Sequence, residues 1–305
     1  MAEVHAAKTN GTDGKWTKLS CFHGSILKAF ADIRATPGSH AHNSDMHTFS
    51  QETARLDRRD WIAGLEKGLA IIEAFDAEHT RLTATQAGKR CSLTRTAASR
   101  YLKTLVHMGY AGTDGKLFWL MPRILKLGHA YLESARLPRL VQPYLQRITT
   151  GTDEIAYLAI LDGAETVYIA RSSSHRYMTA GYLPGARIQA QVTAAGMAIL
   201  SASDEALTSE WLLSHELRAF TPYTVADKTK LVSDLRLFRR QGWALSEQQL
   251  ELNYRGIAVP LLDRNNVVHG AIGVTMPINN EDADHAIKRV LPVLQDTARS
   301  LRSLI

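Results

Sequence analysis

The chain has 305 residues, 45% of them apolar, with a net charge of +6 and two cysteines. That length holds about two domains of roughly 100–200 residues each, and the apolar share is that of a chain with ordinary buried cores. No apolar run approaches the roughly 18 residues that span a bilayer, the N-terminal stretch lacks the apolar core of a secretory signal, and Cys21 and Cys91 make no disulfide framework. Membrane and secreted classes are thereby set aside, and a reducing cytoplasm is the expected compartment.

The charge is unevenly placed. Arg58 to Lys126 carries 12 Lys/Arg against 6 Asp/Glu, residues 1–57 carry 6 of each, and the remainder carries 18 of each. A basic excess confined to one segment suits a polyanion, because Lys and Arg displace counterions from phosphate. Charge alone leaves an ordinary solvated basic surface equally open.

Residues 1–57 are rich in Gly, Thr, Ser, Asn and His and read as a disordered N-terminal extension. Helical patterning begins near Trp61, where Ile62, Leu65, Leu69 and Ile72 mark one apolar face. Thr83 and Gln86 have the spacing of a capping box and open a short second helix to about Arg90. After a break at Cys91-Ser92-Leu93, a third helix is predicted from Thr94 to Met108, with Gly109 ending it. Asp114-Gly115 then predicts a two-residue turn between short strands. Helix, helix-turn-helix, hairpin is the order of a winged helix-turn-helix, expected over residues 58–122.

A helical linker is expected over 123–150, with helices at Ile124–Ser134 and about Leu140–Thr149 punctuated by Pro138 and Pro143. From 151 to 305 the pattern is that of an α/β domain. Strands are predicted at Glu154–Leu161, Thr166–Arg171, Arg187–Gln191, Gly256–Leu262 and Val267–Thr275. Helices are predicted at Thr193–Ser201, Asp227–Gln241 and Asp282–Leu304, the last kinked at Pro292. One sheet with helices packed on it follows.

At about 100° per residue, Arg95, Thr96, Ser99, Arg100 and Lys103 fall within an arc of about 140° on the third helix, opposite Ala98, Tyr101, Leu102 and Leu105. That face carries cations and hydroxyls and no carboxylate, so it can approach phosphate, and an Arg near the helix start can bond a guanine edge twice. Thr94, at the start of this helix, and Lys116, near the hairpin tip, complete the expected DNA contacts. A solvated polar face is the alternative for a lone helix; the hairpin and the charge distribution favour double-stranded DNA.

No G-x-S-x-G, P-loop or H-E-x-x-H pattern is present. His40, His42 and His47 lie together in the extension, where a polar tail is a better reading than a metal site, and Cys91 reads as a small buried residue. No cofactor or metal is expected. Two other classes stay open: a small-molecule-binding enzyme with an attached helix-turn-helix-like domain, and an adaptor whose basic helix meets an acidic protein.

Several blocks in order carry a family resemblance: Lys67-Gly68-Leu69, Leu93-Thr94-Arg95-Thr96-Ala97-Ala98-Ser99-Arg100-Tyr101-Leu102, Gly109-Tyr110, Thr193-Ala194-Ala195-Gly196, Tyr254-Arg255-Gly256-Ile257-Ala258-Val259-Pro260 and Gly270-Ala271-Ile272-Gly273-Val274-Thr275-Met276-Pro277. Together they resemble the IclR family of transcription regulators over about Arg58 to Ile305. The stretches around Trp61 and Gln248-Gln249-Leu250 look most like its aromatic-acid catabolism branch, the regulators of protocatechuate or 4-hydroxybenzoate breakdown. The resemblance implies a winged helix-turn-helix, a helical dimerisation linker, a GAF-like effector-binding domain, and homodimers or homotetramers on palindromic operators, with RNA polymerase as a partner where the regulator activates.

It also implies a ligand pocket near Ala194, Ala195, Glu247, Tyr254, Gly256, Gly273 and Thr275. A carboxylate effector would be received by the N–H groups of the helix that Thr193 opens, with Arg187 or Arg255 as a bidentate partner; for Arg255 a structural ion pair is an equal reading. Gln249 stands where the family usually has a carboxylate, and Asn253-Tyr254-Arg255 where it usually has Gly-Leu-Arg. Gly256 replaces a frequent Ser or Cys. These departures point to a retuned effector.

Overall fold

A computed structural model describes residues 59–173, 182–279 and 281–305. The expected extension, with His40, His42, His47 and Cys21, lies outside the described residues, as does Arg58. Among the described residues no helix is long and apolar enough to cross a membrane.

The first described helix, α1 (Ala63–Glu73), is followed by β1 (Leu82–Thr83), α2 (Ala84–Arg90), α3 (Arg95–His107), β2 (Ala111–Thr113) and β3 (Leu117–Leu120). The three strands pair antiparallel in the order β1-β3-β2, which makes the expected winged helix-turn-helix. The capping box at α2 is complete: the Gln86 N–H donates to the Thr83 hydroxyl at 3.2 Å, and the Thr83 N–H donates to Gln86 Oε1 at 2.8 Å. The Thr94 hydroxyl caps α3 by accepting from the Ala97 N–H at 3.2 Å. Gly109, at φ +78°, ends α3, with the Tyr110 N–H reaching Leu105 O and the Gly109 N–H reaching Val106 O. Ile71, Leu82, Leu102 and Phe118 form the core between these elements.

Two details differ from expectation. Of the apolar face marked at Ile62, Leu65, Leu69 and Ile72, only Ile72 packs against the core, and the other three are exposed. The core takes Ile71 from the helix, with Ala74 and Phe75 just past its end. The hairpin turn is longer than two residues, because Thr113 pairs with Phe118. Asp114 organises it by accepting from the Lys116 N–H at 2.9 Å and the Leu117 N–H at 2.7 Å, and these bonds hold its carboxyl below the usual range.

After a 3₁₀ turn (Pro122–Ile124), α4 (Leu125–Ser134) and α5 (Arg136–Thr152) follow. The second linker helix is longer than the prolines suggest. Pro138 lies in its first turn, where no N–H is needed, and the helix continues through Pro143 because Val141, Leu145 and Ile148 are buried along one face.

The remaining elements are β4 (Ile155–Asp162), β5 (Glu165–Ser172), β6 (Arg187–Gln189), α6 (Ala194–Ala202), α7 (Glu205–Ser214), α8 (Lys228–Gln241), β7 (Ala244–Glu247), β8 (Tyr254–Leu262), β9 (Val268–Pro277) and α9 (Ala283–Leu301), which runs through Pro292. The strands form one antiparallel sheet in the order β6-β5-β4-β9-β8-β7. Sequence patterning did not indicate α7 or β7: α7 mixes polar and apolar residues around its axis, and β7 is four residues long.

Alternation along the strands gives the sheet two unlike faces. Leu158, Ile257, Val259, Ile272, Val274 and Met276 build an apolar core with α5 and α9. The intervening positions, Tyr157, Gly256, Ala258, Gly273 and Thr275, form the other face, and α6 lies against it. A Cβ at Gly196 would stand 2.3 Å from Ala190 O and 2.6 Å from Thr166 Oγ1. Gly196→Ala is expected to destabilise the protein by about 1–3 kcal/mol or more, read as a lowered urea midpoint of the domain, whereas Gly128→Ala, where nothing lies within 4 Å, leaves it unchanged.

Candidate functional site

The first candidate site is the outer face of α3. Ala98, Leu102 and Leu105 are buried against the core, which turns Arg95, Thr96, Arg100 and Lys103 into solvent, with Ser99 partly exposed among them. Thr94 is exposed and also spends its hydroxyl on the helix cap. Lys116 is exposed at the tip of the wing, beside Gly115 at φ +97°. Some cations of this segment serve the fold instead: Arg81 stacks on Trp119 at 4.5 Å, Arg90 pairs with Asp76 at 2.5 Å, and Arg123 donates to Met108 O at 2.5 Å at the end of α3. The basic groups left exposed on α3 and the wing lie on the two elements that such a domain offers to a duplex.

The second is a cavity of about 280 Å³ between the sheet and the start of α6. Of the expected pocket residues, Thr193, Ala194, Tyr254, Arg255, Gly256 and Thr275 line it. Thr193 caps α6: its hydroxyl accepts from the Gly196 N–H at 3.0 Å and bonds the Thr166 hydroxyl at 3.0 Å. Gly256 admits the helix, since a Cβ there would stand 3.3 Å from Ala194 Cβ. The amide end of α6, with its positive partial charge, therefore opens into the cavity.

The other expected residues stand elsewhere. Ala195 is buried in α6 behind the lining. Arg187 is exposed outside the cavity and bonds Asp162 and Glu165, each at 2.7 Å. Arg255 is 2% exposed, and its guanidinium is committed to Glu247 at 2.8 Å and to the carbonyls of Glu281 and Asp282 at 3.1 Å each. Glu247 is Arg255's partner and is not part of the lining. The structural reading of Arg255 is the one this geometry supports.

Gly273 also stands behind the lining, where a Cβ would lie 2.6 Å from the Tyr157 hydroxyl oxygen. Its absent side chain is the space into which that phenol extends. Tyr157, Tyr168 and Tyr182 line the cavity together. Tyr157 meets Tyr168 edge to face with centroids 5.0 Å apart, and Tyr168 meets Tyr182 at 5.3 Å. Burial pushes the Tyr157 phenol well up; burial and then its two tyrosine neighbours raise Tyr168; burial, Glu251 and Tyr254 bring Tyr182 to about 12. All three are neutral hydrogen-bond donors at physiological pH. Gln249 lines the cavity and accepts from the Val225 N–H at 3.1 Å through Oε1, tying the segment before α8 to the site.

Comparison with known proteins decides the family. A model described as the IclR helix-turn-helix domain matches residues 64–115, and one described as the bacterial transcriptional regulator IclR C-terminal domain matches residues 129–303. This chain belongs to the IclR family.

Among its relatives, the p-hydroxybenzoate hydroxylase transcriptional activator of Acinetobacter baylyi is 37% identical over 85% of this chain and 97% of its own length. The Pca operon regulatory protein of the same organism is 36% identical over 82% of this chain and 91% of its own. A solved inducer-binding domain of the Acinetobacter transcription factor PobR, a double mutant in complex with 3-hydroxybenzoic acid, is 30% identical with a TM-score of 0.53, and it matches 56% of this chain and all of that one. The chain is thus a DNA-binding transcriptional regulator with an effector-binding domain, and not an enzyme.

In this IclR-family chain the tyrosines were the part of the site that sequence reasoning missed. The signal was the register of β4 against β9, which sets Tyr157 opposite Gly273; neither residue reveals it alone. For the DNA face, Arg95→Ala and Arg100→Ala are expected to abolish specific operator binding in a footprint while melting stays unchanged. Lys116→Ala is expected to weaken all sequences alike and to lower the salt slope by about 1.

Proposed function

We propose that this regulator responds to a small aromatic carboxylic acid from a catabolic pathway. The observation that carries this reading is the cavity. At about 280 Å³ it lies near the lower end of the roughly 300–1,000 Å³ usual for ligand pockets, which suits a single ring. It offers backbone amides at one side and neutral phenols at the other. The relatives named for p-hydroxybenzoate and Pca regulation, and the related domain bound to 3-hydroxybenzoic acid, support the same ligand class.

The division that accompanies this reading places a DNA-binding domain at 58–122, a helical linker at 123–150 and the effector domain at 151–305, after an extension at 1–57. Arg95, Thr96, Ser99, Arg100, Lys103 and Thr94 meet the operator from α3, with Lys116 on the backbone from the wing. The effector changes either operator affinity or a contact with RNA polymerase, by favouring one arrangement of the regulator over another. The site of action is the cytoplasm.

Self-association is part of the proposal. Ile62, Leu65 and Leu69 on α1, with Leu125, Leu127 and Tyr131 on α4, are exposed apolar side chains, and a second copy of the chain would cover such faces. Light scattering on the eluting full-length protein is expected to give a dimer or tetramer; a monomer at micromolar concentration contradicts this part.

Effector binding is tested by thermal melting of the full chain with benzoate, 3-hydroxybenzoate, 4-hydroxybenzoate and protocatechuate. An acid at about 100 times its Kd adds about 2.7 kcal/mol to native stability, so the effector class raises the melting temperature clearly. No shift with any of the four would overturn the aromatic-acid reading.

A further inference from the structure

We propose that Tyr157 is the residue by which the cavity selects a ring hydroxyl of the effector. Its phenol donates to that oxygen while the carboxylate of the ligand lies toward the first turn of α6. This deepens the aromatic-acid reading and rests on it.

Three observations carry the assignment. First, Tyr157 is 3% exposed, lines the cavity, and forms no hydrogen bond through its hydroxyl with the described residues. The hydroxyl therefore opens into the cavity with its bonding capacity unspent on protein groups, and a ligand oxygen can take it up. Second, the strand opposite makes room for this one group. Tyr157 pairs with Gly273 across β4 and β9, and any side chain at Gly273 would occupy the place of the phenol oxygen, 2.6 Å away. The edge-to-face contact with Tyr168 fixes the ring in that pose.

Third, the two sides of the cavity differ in charge preference. The start of α6 stands over β8, where Gly256 brings the Ala194 amide nitrogen within 4.0 Å of its Cβ position. Tyr157 and Tyr168 are rooted on β4 and β5, beyond β9. On their side the lining offers neutral phenols, which suit a ring hydroxyl. The α6 side, with the amide dipoles of the first turn, favours the carboxylate. A ligand that fits both sides carries a carboxylate and a hydroxyl at separate positions on one ring.

The test is calorimetric titration of the full chain and of Tyr157→Phe with benzoate, 3-hydroxybenzoate and 4-hydroxybenzoate. The wild-type protein is expected to bind one of the hydroxybenzoates about tenfold or more tighter than benzoate. In Tyr157→Phe this preference collapses to about threefold or less, while benzoate affinity stays as it was. Without ligand the variant melts close to the wild-type temperature, because the removed hydroxyl bonds no other described residue. Equal wild-type affinity for all three acids overturns the assignment, as does a variant that keeps the preference, loses benzoate equally, or melts well below wild type. Failure of the wild-type protein to bind any of the acids removes the aromatic-acid reading itself, and a bound acid with an unaltered preference removes the Tyr157 assignment alone.

Discussion

Helix α6 packs on the sheet so closely because the residues between them are nearly all small. Gly196 meets Ala190 and Thr166, and Ala194 meets Gly256. At that distance larger side chains would force helix and sheet apart, and the packing energy of the layer would be lost. The same closeness determines where the effector domain can bind a ligand. The first turn of α6 ends over β8, its Thr193 cap bonds Thr166 on β5, and a cavity opens where the small residues give way to tyrosines. The apolar core on the other face, with α5 and α9, leaves this polar face free to serve the ligand.

Arg255 shows how the cavity is tied to the rest of the domain. It is almost fully buried, and a buried cation is tolerable only when its donors are met. Glu247 on β7 and the carbonyls of Glu281 and Asp282 at the start of α9 meet them. Glu281 in turn accepts from Arg289, which also bonds Glu154 at 2.7 Å and Thr152 O at 2.7 Å. A continuous set of bonds thus joins the strand beside the cavity to the end of α5, the longer linker helix. A neutral residue at Arg255 would leave Glu247 and two carbonyls without this donor, which makes the position structural even though it borders the ligand.

The fold was largely legible in the sequence because its signals are local. The capping box at Thr83 and Gln86, the Gly109 helix end and the small-residue run after Thr193 each specify backbone geometry within a few residues. The exposed face of α3 was legible for the same reason, since a helix fixes its own angular spacing. The cavity was only half legible. Resemblance pointed to Ala194, Tyr254, Gly256 and Thr275, and the helix start to Thr193, all of which line it; resemblance also pointed to Ala195, Glu247 and Gly273, which stand behind the lining. Arg187 was a candidate for its charge, yet Asp162 and Glu165 hold it outside. Tyr157 and Tyr168 went unnoticed because β4 and β5 read as apolar runs, and only the pairing of strands distant in sequence shows that one side of each faces a ligand.

In the proposed complex one ring is held between the amides of α6 and the phenols of β4 and β5. A crystal structure of the full chain grown with 4-hydroxybenzoate would show that arrangement or refute it. Density is expected in the cavity beside Gly256, with the carboxylate against the Ala194 amide at the start of α6 and the ring hydroxyl within hydrogen-bond distance of Tyr157. A ligand bound in the reverse orientation, or seated instead in the larger groove beside Trp211 and His269, would contradict it.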